Sequence, residues 1–112
     1  MPFFKHLDDL SDITDITWND RKRLGPLDEA SQKIMRGKSS FTSAQKEVFA
    51  AFVSGLNACS FCYGSHAEVA NNFGIPKKTI ESLVKDIDSA PIASNEKPLF
   101  QYLKKLTLSP SK

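Results

Sequence analysis

Asn57-Ala58-Cys59-Ser60-Phe61-Cys62-Tyr63-Gly64-Ser65-His66 holds both cysteines of the chain and one of its two histidines. Cys59 and Cys62 are three residues apart and His66 is four further on, so a helix places all three on one face. Val69, Ala70 and Phe73 extend that face with apolar side chains. Upstream, Thr42-Ser43-Ala44-Gln45-Lys46-Glu47 opens an apolar run that lasts to Leu56. Its one acid, Glu47, lies twelve residues before Cys59. The order glutamate, Cys-x-x-Cys, histidine decides how the rest of the chain is read.

The two stretches read as consecutive helices. Thr42-x-x-Gln45 fits a capping box, and 42–57 contains no proline. Val48, Phe52, Gly55 and Leu56 follow helical spacing, with Phe49 and Val53 widening the apolar surface. Glu47 shares a face with Ala50, Ala51, Ser54 and Ala58, small neighbours that can seat a carboxylate in a confined space. On one unbroken helix the step from Glu47 to Cys59 leaves them about a third of a turn apart. A break near Asn57, which suits a helix stop or an N-cap, lets them converge. Cys59 is then expected in the first turn of a 58–73 helix, where unpaired N–H groups favour a thiolate.

Farther out, Gly74 is the expected C-cap and Pro76 the first turn of the next helix. Ile80, Leu83, Val84 and Ile87 form its apolar stripe. Residues 90–95 read as a loop, and Leu99, Phe100, Leu103 and Leu106 mark a last helix. Before the central pair, 27–36 reads as a short helix with Leu27, Ala30, Ile34 and Met35 on its apolar side, ended by Gly37. Gly25-Pro26 reads as a break, and 1–27 as a weakly patterned arm. No segment alternates as a strand does, so the fold class is all-α.

The chain has 112 residues, which suits a single domain over 1–112. A net charge of +2 gives no reason to expect nucleic acid, and no apolar run reaches membrane-spanning length. The opening residues carry Asp8 and Asp9 where a signal peptide needs an apolar core, so the expected location is cytoplasmic. Structural disulfides are rare there, and cysteines three apart cannot staple distant elements, so the pair reads as redox or metal chemistry. Zinc is short of ligands: Cys59, Cys62 and His66 offer three, and His6 is the only other histidine. No metal or cofactor is expected. A core this small leans on self-association.

A Cys-x-x-Cys pair on a helix can cycle between dithiol and disulfide with little backbone movement. A thiolate attacks a peroxide to give a sulfenic acid, and a second thiol resolves it to a disulfide. The reaction needs a base and a proton donor; His66 can fill one role and Glu47 can complete a relay. The blander alternatives are two buried small hydrophobes, a structural histidine and a solvated glutamate. The helix dipole favours Cys59 as the attacking sulfur. An imidazole contact favours Cys62, four residues from His66, and outweighs the dipole if it reaches the sulfur.

Residues 51–66, with Glu47 at the matching spacing, resemble the core of the AhpD-like alkylhydroperoxidase and carboxymuconolactone decarboxylase superfamily. Residues 35–42 and 104–110 are similar to its uncharacterised peroxidase-related branch. The decarboxylase branch typically lacks the cysteine pair, so the match favours the redox branch. The resemblance implies an AhpD-like helical domain and trimers or hexamers. It implies peroxide reduction with Cys62 attacking, Cys59 resolving, His66 and Glu47 relaying protons, and a thiol or dithiol reductant closing the cycle. Two features depart from the pattern. Phe61 stands where AhpD has a histidine, and the branch usually continues for several more helices, so a short member or a fragment is expected. The other functional readings are a non-catalytic helical oligomer with a redox-sensitive pair and a decarboxylase-like enzyme.

Overall fold

The computed structural model describes residues 4–112. Every regular element among them is helical, as the periodicity and capping signals require. Contacts cluster in two compact units, one up to Gly37 and one from Lys38 onward.

The first unit pairs α1 (Ile13–Asn19) with α2 (Arg21–Arg36). Its helices replace the weakly patterned arm read over 1–27 and correct the break read at Gly25-Pro26. α1 forms because Asp12 and Asp15 complete a capping box, which offsets the poor helix propensity of its threonines and aspartate. α2 runs straight through Pro26. Proline fixes φ near the helical value, and as the sixth residue it removes the bond to the Lys22 carbonyl and crowds that oxygen, a local cost that the rest of the helix absorbs. Gly37 does end α2, but in an extended conformation. The Arg21 guanidinium lies 5.2 Å from the centre of the Trp18 ring. Neither helix fully buries a residue; Leu27, Ala30 and Ile34 are all exposed.

The second unit holds α3 (Ser43–Leu56), α4 (Ser60–Asn72), α5 (Lys77–Lys85) and α6 (Lys97–Leu108). α3 is the centre, packed against each of the other three. Its start is the expected capping box: Gln45 N–H donates to Thr42 Oγ1 at 3.1 Å, and Thr42 N–H to Gln45 Oε1 at 2.9 Å. Val48, Ala51 and Phe52 of α3 meet Ala67 and Ala70 of α4, Ile80 and Leu83 of α5 and Phe100 of α6 in one core. Phe52, Ile80 and Leu83 are its largest fully buried side chains. Phe41, Phe49, Phe100 and Phe52 continue it as a chain of edge-to-face rings with centroids 5.1–5.6 Å apart.

Three details differ from the periodic reading. Pro76 is the N-cap of α5 rather than its first turn. Ile87 joins the core from beyond the end of α5. Phe73 and Leu106 are about half exposed, so neither completes the apolar face assigned to it.

Candidate active site

The turn between α3 and α4 is a single residue long in effect. Ala58 N–H bonds the Gly55 carbonyl at 3.1 Å and Cys59 N–H bonds the Ser54 carbonyl at 3.0 Å. This pair of bonds is a Schellman motif, which places Ala58 in the left-handed region at φ 55. The end of α4 repeats it with Gly74 at φ 95, where Gly74 N–H bonds Asn71 and Ile75 N–H bonds Ala70. At the first turn the usual glycine is an alanine.

Cys59 therefore belongs to both helices. Its N–H closes α3 and its side chain opens α4 as the N-cap, with Sγ accepting from Cys62 N–H at 3.3 Å. The expected position inside the first turn is corrected by one step: sulfur takes the role that oxygen plays in Ser, Thr, Asp or Asn. Cys62 is the third helical residue, and the two sulfurs are joined as a disulfide with Cα atoms 5.4 Å apart. Both cysteines are partly buried.

The reversal at Ala58 also sets α3 and α4 side by side and brings Glu47 to His66. Glu47 is 2% exposed, the one charged residue among the buried side chains of the described residues. His66 Nδ1 lies 2.7 Å from Glu47 Oε2, a bond made across 19 residues of chain. With a carboxylate as acceptor, Nδ1 carries the proton. A charge taken out of water needs such a partner. The hydrogen bond of His66 goes to this carboxylate and not to a sulfur, so the imidazole contact that would favour Cys62 is absent from the disulfide form. All four expected residues thus sit on one helical hairpin, as two pairs: sulfur with sulfur, and carboxylate with imidazole.

One of the two cysteines lines a cleft. A space of about 640 Å³ between the start of α4 and α5 is lined by Gly55, Ala58, Cys59, Tyr63, Val84 and Lys85, with Ser60, Lys77 and Glu81 completing it. Cys62 is not part of its wall. Lys77 pairs with Glu68 of α4 across its edge. Burial, and then the charge of Glu81, push the Tyr63 phenol above its ordinary value of 10.0. An added methyl at Gly55 would lie 2.7 Å from Val84 Cγ2, so only glycine lets α5 approach there. The sequence reading gave Lys77, Glu81 and Lys85 no part in a site. The available signal was the spacing of Lys77, Glu81 and Lys85, four apart along the flank of the α5 stripe that carries Val84.

Comparison with protein-family models, curated proteins and solved structures finds no match. Among the described residues no three His, Cys, Asp or Glu side chains converge as a metal-binding group, and no helix is long and apolar enough to cross a membrane.

Proposed function

We propose that this chain is a thiol-dependent peroxidase of the AhpD-like type, working through Cys62 and Cys59 as a cytoplasmic homo-oligomer. The observation that carries the reading is the Cys59–Cys62 disulfide at a helix start, on the same hairpin as a buried glutamate bonded to histidine. A buried carboxylate holding a part-exposed imidazole, on the same hairpin as a cysteine pair, is the equipment that proton-coupled sulfur chemistry needs.

In the reduced form the Cys62 thiolate attacks one peroxide oxygen. The O–O bond breaks, the alkoxide leaves with a proton passed through His66, and Cys62 becomes a sulfenic acid. The Cys59 thiol then attacks that sulfur and water departs, which restores the disulfide. A thiol or dithiol donor returns two electrons and two protons. Cα atoms 5.4 Å apart already stand at disulfide distance, so the resolving step asks little of the backbone. His66 is positioned by Glu47 of α3, at 2.7 Å.

The test is peroxide consumption with dithiothreitol as donor, wild type against Cys62→Ser. Turnover by the wild type and none by the variant supports the reading. Equal, negligible consumption by both returns the chain to a non-catalytic helical module.

A further inference from the structure

We propose that the groove at the starts of α3, α5 and α6 binds a small primary amine with an aromatic body, its ammonium on Glu96 and its ring against Phe49 and Phe100. The groove shares no residue with the cleft at Cys59 and stands apart from the redox reading.

Its floor is the core itself: Val48, Leu83 and Phe100 line it and are all buried. One side is closed by the loop that carries Pro91, Ile92 and Ala93. An apolar cavity of about 150 Å³ takes benzene, so a space of about 280 Å³ suits a compact body of one or two rings. Phe49 and Phe100 stand edge to face with centroids 5.6 Å apart. Such a pair offers a third ring both an edge and a face, where an alkyl chain gains only buried area. The walls are preformed. Pro76 and Pro91 have fixed φ. The loop is pinned by Ile92 N–H on the Ala90 carbonyl at 2.8 Å and by Glu96 N–H on the Ala93 carbonyl at 3.0 Å. Little ordering is left for a ligand to impose.

Charge selects the other end of the ligand. The described residues that line the groove include one carboxylate, Glu96, and no lysine, arginine or histidine. Glu96 Oε2 accepts from Ala93 N–H at 3.3 Å, which fixes the carboxylate and leaves it further acceptor sites. The adjacent Lys97 donates to the Asp88 carbonyl instead, and Glu96 forms no ion pair among the described residues. A half-buried carboxylate beside two rings lacks what an ammonium supplies: charge-assisted hydrogen bonds, and a cation for the ring faces. Thr79 puts a hydroxyl on the same wall as a further acceptor. A primary alkylamine carries its proton at neutral pH. A carboxylate ligand of the same size would meet Glu96 as a like charge.

The probe is phenethylamine, titrated into the full chain at neutral pH by calorimetry with amide shifts followed by NMR. We expect saturable binding with shifts at Phe49, Thr79 and Glu96. Phenylpropionate, an aromatic body with the opposite charge, should bind about tenfold more weakly or worse, the lower end of what a hydrogen bond to a charged group contributes. The amine should lose a similar factor on Glu96→Gln, which keeps an acceptor for Ala93 N–H and so keeps the loop in place. Ala93→Trp, at the exposed rim, should block the groove, and it keeps the test sound if Glu96→Gln does not fold. No saturable binding at millimolar amine, equal affinity for the two probes, or unchanged affinity in either folded variant would overturn the proposal. Hexylamine binding as tightly as phenethylamine would overturn the aromatic assignment.

Discussion

Glu47 carries the sharpest consequence at the scale of a single residue. A glutamate in an apolar helix is unremarkable in sequence and becomes meaningful only when its side chain is closed off from water. At 2% exposure it is, and its bond to His66 offsets the cost of burial. Glu47→Gln preserves size and hydrogen bonding but removes the charge that orients and polarises the imidazole. We expect the variant to fold, by circular dichroism, and to lose about tenfold or more in the peroxide reaction, the lower end of what general acid–base groups contribute. An unchanged rate would make Glu47 a structural partner of His66 and nothing more. The small residues around Glu47 made this burial legible in the sequence. The sulfur cap did not share that legibility, because Cys59 can be an N-cap only if the turn before it is one residue long.

Elements were readable where a local signal and the apolar period agreed. Thr42 with Gln45 marked the start of α3, and the real boundary falls within one residue of the expected one. α2 was cut short because Gly25-Pro26 normally ends a helix. Here proline sits where its fixed φ is already helical, and the helix continues on the N-terminal side. α1 was missed because propensity argues against it and only the Asp12–Asp15 box argues for it. The turn at Ala58 yields the prediction at this scale. An L-residue in the left-handed region gives up about 1 kcal/mol relative to glycine. Ala58→Gly should therefore raise stability by about 0.5–1 kcal/mol in denaturant titration, despite the added freedom of the unfolded chain. A loss of stability would mean that the Ala58 methyl, on the cleft wall, packs better than its backbone is strained.

For the whole molecule the balance of buried and exposed apolar groups points outward. The core of the second unit is small, and large apolar side chains remain in water: Phe61 is 67% exposed, with Tyr102, Leu106 and Leu108 each more than half so. In the first unit Leu27 and Ile34, seven apart on α2, are each 69% exposed. Exposed apolar stripes of this kind mark interaction surfaces. We expect self-association at micromolar concentration, and a shift toward monomer in Leu27→Asp with Ile34→Asp, both read by light scattering. A monomeric wild type would count against it.

The distribution of chromophores has a practical outcome. The chain's one tryptophan, Trp18, stands in the first unit beneath the Arg21 guanidinium, and its two tyrosines, Tyr63 and Tyr102, stand in the second. Indole emission then reports from the α1–α2 pair, and tyrosine absorbance from the four-helix unit. A single unlabelled melt carries two clocks: superimposed curves mean one cooperative block, and separated midpoints mean two.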